Sequence, residues 1–297
     1  MKKLIVIAGP TASGKTSLAV AVAKQLKAPI ISADSRQFYK ELSIGTAKPT
    51  KEEMQGVPHY FVDSHSIHTP LTAGQFEKEA LAKVNELFKT NEFIVIVGGS
   101  GMFINALIYG TDQLPHDPKI RAFWNDKLEH YGIEYLQEEL KKVDLEYFQN
   151  SDIQNPVRII RALEVFEITG TPYSQLRNQK KKTPRFPTDF YVLDHPREVL
   201  YERINHRVDL MIENGLIDEV RANKKHQKLQ PLNTVGYKEI FEYLDYNISY
   251  EKAIELVKQN TRRYAKRQLT WFRKIEDAQW IKPNALDEMT QLICKNV

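Results

Sequence analysis

The sequence predicts an α/β fold: a parallel sheet flanked by helices, built around a phosphate-binding loop and interrupted by an all-helical insertion domain. Three observations predict it. Short, uninterrupted apolar runs at residues 4–8 and 93–97 alternate with helical patterns as far as residue 108. The first run ends in Gly9-Pro-Thr-Ala-Ser-Gly-Lys15-Thr16, a glycine-rich turn that opens a helix. Residues 114–187 then carry helical spacing and no strand pattern. Continuous apolar runs mark strands buried on both faces, and their alternation with helices calls for parallel pairing with right-handed crossovers.

Residues 4–8 form the first strand and 17–26 the first helix. The join fits G-x-x-x-x-G-K-[ST], the P-loop signature, so the core is expected to be P-loop NTPase-like. In that motif Gly9, Pro10, Thr11, Ala12, Ser13, Gly14, Lys15 and Thr16 wrap closely around phosphate oxygens, and the helix adds its positive end. Lys15 supplies a point charge, and the Thr16 hydroxyl suits Mg²⁺. Residues 29–32 are a short buried strand running into Asp34, and 43–49 a loop. A short helix follows at 50–55, a strand end at 60–63 and a helix at 72–90, on whose apolar face lie Phe76, Ala80, Val84 and Leu87. The strand at 93–97 leads through Gly98-Gly-Ser-Gly101 into a helix at 102–108.

The insertion spans 114–187, between core segments 1–113 and 188–297. Its helices fall at 120–130, 133–143 and 156–169; Asn155-Pro156 caps the last and Gly170 ends it. The core resumes with a strand at 190–193, a helix at 197–214 closed by Gly215, a segment at 217–225, a loop at 233–238, a helix at 250–274 and a last strand at 279–281.

At 297 residues the chain can bury a sizeable core, and 42% apolar with 27% charged residues is ordinary for a globular protein. No apolar run reaches membrane-spanning length, and a single cysteine, Cys294, forms neither an internal disulfide nor a cysteine zinc site. A cytoplasmic protein is expected, away from membranes, with no protein partner evident and nothing to require more than a monomer. The net charge of +4 says little, but its distribution says more. Residues 258–274 hold seven basic side chains and no acidic one, interleaved with Tyr264, Trp271 and Phe272, and a second basic run covers 177–185. Basic stretches mixed with aromatics fit a nucleic-acid backbone.

The strand at 93–97 ends in Gly-Gly-Ser-Gly, without the acidic residue of a motor or switch ATPase, and no Asn-Lys-x-Asp guanine motif occurs. Asp34, just past a core strand, is placed to ligate Mg²⁺ or accept a proton; it could equally cap a turn. Ser100 could donate to a phosphate or ribose, while its glycines could equally serve close packing. Arg158 and Arg161 share one helix face, with Ile159, Leu163 and Phe166 on the buried stripe; Arg203 and Arg207 share another. Such pairs suit phosphates, or ion pairs with Glu202 and Asp209. His65 and His68 sit in an unpatterned loop and read as surface residues.

Together these stretches resemble a known family. The P-loop at 9–16 is followed by Asp-Ser-Arg-Gln-Phe-Tyr at 34–39, Ile-Gly-Thr-Ala-Lys-Pro at 44–49, Val-Gly-Gly-Ser-Gly at 97–101, Arg-Ala-Leu-Glu-Val at 161–165 and Val-Gly-Tyr at 235–237. Thr-Arg-Arg-Tyr-Ala-Lys-Arg-Gln at 261–268 and Thr-Trp-Phe at 270–272 complete the series. The chain is similar over nearly its whole length to the bacterial tRNA dimethylallyltransferases, the tRNA isopentenyltransferases of the IPP transferase family. Their usual Gly-Gly-Thr stands here as Gly-Gly-Ser, which keeps a hydroxyl at Ser100. Eukaryotic relatives carry a C-terminal zinc finger, so the bacterial form is expected.

The resemblance implies transfer of a dimethylallyl group from dimethylallyl diphosphate to N6 of the adenosine 3′-adjacent to the anticodon, with Mg²⁺ as cofactor and the anticodon stem-loop of tRNA as partner. It implies catalytic roles for Asp34 as base and for Thr11, Lys15 and Arg207 at the diphosphate. It places tRNA contacts at Asp34, Ser35, Arg36, Gln37, Ser100, Arg121, Val157, Arg158, Ile159, Ile160, Arg161, Gly236 and Tyr237, and on the insertion. An adenylate isopentenyltransferase acting on AMP or ATP is the nearest rival, since it shares the P-loop and the aspartate but needs no stem-binding insertion. A small-molecule P-loop kinase and an RNA-remodelling NTPase lie further off.

Overall fold

Strand β1 (Lys3–Ala8) is apolar at every position after its first, and both of its faces are covered. Leu4, Val6 and Ala8 face one core cluster, Ile5 and Ile7 the other, the period-two alternation of a strand inside a three-layer sandwich. In the computed structural model, which describes residues 2–112, 114–177 and 183–297, β1 leads into helix α1 (Lys15–Leu26). Strand β2 (Ile30–Ser32), helix α2 (Lys51–Met54), strand β3 (His59–Tyr60), helix α3 (Ala73–Leu87), strand β4 (Phe93–Gly98) and helix α4 (Gly101–Tyr109) follow.

Helices α5 (Pro118–Val143), α6 (Leu145–Asn150), α7 (Pro156–Thr169) and α8 (Tyr173–Leu176) come next. The chain then adds strand β5 (Thr188–Leu193), helices α9 (Arg197–Glu213), α10 (Leu216–Ala222), α11 (Tyr237–Leu244) and α12 (Tyr250–Phe272), strand β6 (Ala278–Ile281) and helix α13 (Leu286–Lys295). The six strands pair in parallel in the order β3-β2-β4-β1-β5-β6. β1 is therefore central, and the loops leaving β1, β2 and β4 open along one edge of the sheet, where α/β folds place ligands.

Contacts divide the chain into two compact units, Met1–Gly110 with Thr183–Val297, and Thr111–Lys182. The first holds the sheet. Phe76, Ala80 and Val84 of α3 and Phe103, Ile104 and Leu107 of α4 fill one face, and α1 with Ile293 of α13 fills the other. A third cluster joins Val208 of α9 to Val220, Ile240, Phe241, Ala253 and Val257 of α10 to α12. The second unit has its own core of Trp124, Leu136, Leu140, Tyr147, Ile159, Ile160 and Leu163. Complete burial of each such aliphatic side chain is worth roughly 1.5–3 kcal/mol.

Several elements depart from the sequence reading. Gly132 (φ 78) breaks α5 into the two helical stretches expected. Phe61 and Asp63 take positive φ, so β3 stops at Tyr60 instead of running to residue 63. Helices α6, α8, α11 and α13 were not expected: α6 and α8 are one-turn or two-turn pieces, α11 begins at Tyr237 inside the expected loop, and α13 buries only Thr290 and Ile293. Among the described residues no helix is long and apolar enough to cross a membrane.

Candidate active site

The P-loop bends because two of its residues take left-handed backbone, Ala12 (φ 63) and Gly14 (φ 88). Its outward carbonyls are held by side chains from elsewhere in the first unit. Arg203 Nε donates to the Ala12 carbonyl at 2.8 Å, and His195 Nε2 donates to that of Ser13 at 2.7 Å. The ammonium of Lys15 lies 3.3 Å from the Pro10 carbonyl. The first amides of α1 have no partner within the helix by its geometry, which leaves them for an anion at this end. Lys15 is buried, and burial drives its pKa down to about 8; Asp34 opposes the shift and Arg207 adds to it.

Asp34 follows β2 directly. Its carboxylate Oδ1 accepts the Arg36 N–H at 3.1 Å, so the turn-capping role is real, and it leaves the carboxylate on the walls of two pockets. One is lined by Lys15, Thr16, Ser32, Asp34, Gln37 and Gly98 among others. The second is lined by Thr11, Asp34, Arg36, Arg207, Tyr264 and Gln268 over an apolar floor of Ile204, Val208, Met211 and Val257. Arg207 also lines a broad cleft with the P-loop, Arg203 and His206. Burial lowers the Arg207 pKa, against the pull of Asp34 and Glu53. Burial, then the Asp34 charge, raises the Tyr264 phenol to about 12, so it stays neutral.

The structure thus brings Thr11, Lys15, Asp34 and Arg207 to one connected site. It also explains why β4 ends in glycine: a Cβ on Gly98 would stand 2.5 Å from the Ala33 carbonyl oxygen. Gln37 faces inward, donating to the carbonyls of Thr46 (3.4 Å) and Ala47 (3.1 Å), which pins the 43–49 loop to the pocket rim. The same loop is held from its other side by Glu219 of α10. Its Oε2 accepts the N–H groups of Ser43 and Ile44, both at 2.8 Å, and Oε1 accepts that of Gly45 at 3.0 Å and the Tyr237 hydroxyl at 2.6 Å. The Tyr237 ring lies where a Gly45 Cβ would be. Tyr237 is fully buried, and burial beside Glu219 holds its pKa far above the usual phenol value. Its side chain supports the loop from beneath. Gly236 lines the larger pocket.

Gln268 was quoted in a motif but given no role by the sequence reading. Its side-chain carbonyl accepts the Thr11 N–H at 2.9 Å and its amide donates to the Gly99 carbonyl at 2.8 Å. Neither partner is adjacent in sequence, so only the fold reveals it. The ion pairs considered for α9 do not form: Arg203 serves the P-loop, and Asp209 pairs with Lys258 at 2.5 Å. On α12, Arg262 donates to Asn205 (2.6 Å), while Arg263, Lys266 and Arg267 are exposed.

In the second unit the arginines divide. Glu164 is fully buried, and its two oxygens collect His116 Nδ1 at 2.5 Å, the Asp117 N–H at 3.1 Å, Arg121 at 2.6 Å and Arg161 at 2.8 Å. Burial pushes the Glu164 pKa up, but the hydrogen bonds from Arg161, Arg121 and His116 outweigh it and hold the carboxyl below its ordinary value. Arg161 also donates to the carbonyls of Leu114 and Pro115. Arg121 and Arg161, expected to grip RNA, are therefore anchored to the unit's own interior. Ile159 and Ile160 put both side chains in its hydrophobic core. Arg158 is exposed, with Asp152 4.0 Å away, and Val157 is 72% exposed. Ser35, Arg36 and Ser100 are half-buried; Arg36 lines the larger of the two pockets, and Ser100 stands at the start of α4. Of the basic run at 177–185, residues 178–182 lie outside the described residues; Arg185 pairs with buried Glu77 at 2.5 Å.

Residues 37–275 match the family model described as IPP transferase. The chain is 49% identical to a tRNA dimethylallyltransferase of Christiangramia forsetii over 94% of its own length and 93% of that protein. It is 46% identical to that of Flavobacterium johnsoniae, over the same shares. Among solved structures it resembles a tRNA isopentenylpyrophosphate transferase of Bacillus halodurans (TM-score 0.73, 36% identity, 100% of this chain and 96% of that one). It also resembles a eukaryotic dimethylallyltransferase acting on tRNA (TM-score 0.82, 26% identity, 100% of this chain and 77% of that one).

Proposed function

The chain belongs to the IPP transferase family, and from that premise we propose that it transfers a dimethylallyl group from dimethylallyl diphosphate to N6 of the adenosine 3′-adjacent to the anticodon of tRNA. One observation carries the reading: Asp34 lines both the pocket of the P-loop lysine and the pocket of Arg207 and Tyr264. A carboxylate that reaches a cationic phosphate site from one side and a cavity with an apolar floor from the other suits a substitution at carbon.

The adenine N6 lone pair attacks C1 of the dimethylallyl group, and the C1–O bond breaks with its electron pair leaving on diphosphate. The N6 proton passes to the Asp34 carboxylate. An exocyclic amine is a weak nucleophile because its lone pair is shared with the ring, so both halves of the exchange need help. Lys15, Arg207 and the P-loop amides stabilise the departing charge. Thr11 walls the same cavity. A positioned base contributes on the order of 10²–10⁴ in rate. Burial brings the Lys15 pKa to about 8, so the ammonium is charged at neutral pH, and a bound diphosphate holds it so. No cluster of three acidic, histidine or cysteine ligands occurs among the described residues. This fits Mg²⁺, which takes one or two protein oxygens and completes its shell with phosphate and water. The Thr16 hydroxyl, on the pocket wall, would hold it, and it would supply charge neutralisation at the diphosphate.

The acceptor has to leave its stack to reach this depth, as for other enzymes that act on a base. Exposed Arg263, Lys266 and Arg267 of α12 and Arg158 of the second unit supply backbone contacts. The test is to incubate the protein with unmodified tRNA and labelled dimethylallyl diphosphate, then digest the RNA to nucleosides. Label on N6-modified adenosine is expected. Faster labelling of free AMP than of tRNA would assign the protein to the adenylate isopentenyltransferases instead.

A further inference from the structure

We infer that Gln268 is a positioning residue for the diphosphate donor, setting the spacing between the P-loop and the glycine loop that follows β4. The partners permit only one orientation of its amide. The Thr11 N–H can only donate, so it meets Oε1; the Gly99 carbonyl can only accept, so it meets Nε2. One buried side chain on α12 thereby ties together two loops that leave neighbouring strands, β1 and β4. The fit is close: the Gln268 amide occupies the space a Gly99 Cβ would need, and the Trp271 ring, one turn on, occupies that of Gly101.

Two consequences follow for the donor. Thr11 has its N–H committed to Gln268, so its backbone orientation is set from α12 and not by a bound phosphate. Its side chain then forms the wall of the Asp34–Arg207 pocket, which Gln268 itself also lines. On the other side Gly98, one residue before the accepting carbonyl, lines the pocket of Lys15, Thr16 and Asp34. A change in this clasp alters the mutual position of cradle and base, although Gln268 takes no proton and carries no charge. Lys266, about 200° round α12 from Gln268, is exposed. Donor and RNA effects of this helix should therefore separate by face. The inference deepens the transferase reading and rests on it for the identity of the donor, but the clasp acts on any diphosphate.

The test compares the full-length protein with Gln268→Glu and Gln268→Met. Glu keeps an acceptor for Thr11 but cannot donate to Gly99 and brings a negative charge to the cradle; Met keeps the length and loses both bonds. Affinity for inorganic diphosphate with Mg²⁺ is measured by calorimetry. Tm, the KM for dimethylallyl diphosphate and the affinity for tRNA are measured beside it. Gln268→Glu should bind diphosphate about tenfold more weakly or worse, and Gln268→Met several-fold more weakly. tRNA affinity should stay within about twofold. Lys266→Ala should do the reverse. Unchanged diphosphate affinity in a folded Gln268→Met protein would overturn the inference, as would a parallel loss of diphosphate and tRNA affinity with a fall in Tm. If Gln268→Glu does not fold, Gln268→Met decides alone. Because diphosphate binding needs no acceptor, failure of the wild type to modify tRNA would count against the transferase reading and not against the clasp.

Discussion

Two carboxylates in this protein lie among cations, and they are used in opposite ways. Glu164 in the second unit is fully buried and each of its oxygens accepts two hydrogen bonds, from His116, Asp117, Arg121 and Arg161. Asp34 in the first is half-buried at a pocket wall, and among the described residues its carboxylate accepts one, from the Arg36 N–H. A carboxylate whose lone pairs are all engaged has nowhere to put a further proton; one that keeps capacity beside a cavity can act as a base. The same contrast separates the arginine pairs. Arg161 is held by Glu164, on its own helix, whereas Asp209 is taken by Lys258 and leaves α9 to aim Arg203 at the P-loop and Arg207 at the pocket.

Removing each carboxylate should therefore give opposite results, and the larger effect belongs to Asp34. Asp34→Asn retains an acceptor for the Arg36 N–H but loses the basic carboxylate. Single-turnover transfer should fall by about 10²–10⁴, with Tm and tRNA affinity held. A normal rate in a stable protein would remove Asp34 from the chemistry. Glu164→Ala should instead leave the cationic groups facing one another without their shared anion, at a cost of roughly 3 kcal/mol. Hydrogen exchange would locate that cost: amides of α5 and α7 should exchange about a hundredfold faster, while those of α1 keep their protection. Loosening of α1 instead would break the comparison.

Lys15 offers an intermediate effect. Its pKa falls from the ordinary 10.5 to about 8 on folding. Below pH 8 it is charged in both states, and burying the charge costs stability; between about pH 8 and 10.5 the native state releases the proton while the unfolded chain keeps it, so stability rises with pH. The shift corresponds to at most about 3 kcal/mol. Lys15→Met should then raise the Tm of the ligand-free protein at pH 7 by several degrees, and the advantage should fade towards pH 10. Diphosphate binding should be lost at the same time. A lower Tm at pH 7 would show that the ammonium stabilises the empty cradle.

How much of this was legible follows from sequence separation. The P-loop, β1 and α1 are one continuous stretch, so motif and apolar period sufficed. Asp34 was legible as a carboxylate at a strand's end, but its turn-capping bond was an equal alternative until both were found together. The Gln268 clasp joins residues 257 apart, and the Glu219 seat for the 43–49 loop joins residues 174 to 176 apart. No local pattern carries either. The seat of Tyr237 is hidden for the same reason: its motif is local, but the Gly45 it packs on is not. On α7 the expected stripe holds for Ile159 and Leu163, while Phe166 is only half-buried and Ile160 and Glu164 on the adjoining face are buried. A buried glutamate three residues from Arg161 was the available signal, since such a charge has to find cations nearby.

The smallest effect is the sharpest test of that last point. Arg158 and Arg161 lie on one helix three residues apart, yet only Arg161 is tied to Glu164; Arg158 meets Asp152 at 4.0 Å in the open. Exposed pairs of that kind contribute about 0–1 kcal/mol, so Arg158→Ala should leave Tm nearly unchanged. If Arg158 touches a phosphate of the acceptor, the substitution should weaken tRNA binding several-fold and reduce the slope of log affinity against log salt by about 0.7–0.9. Arg161→Ala should show the reverse order of effects, loosening α7 before it touches the salt slope. Equal losses of stability from both variants would mean that the two arginines share one structural role, and the division drawn between anchored and available cations would fail in the second unit.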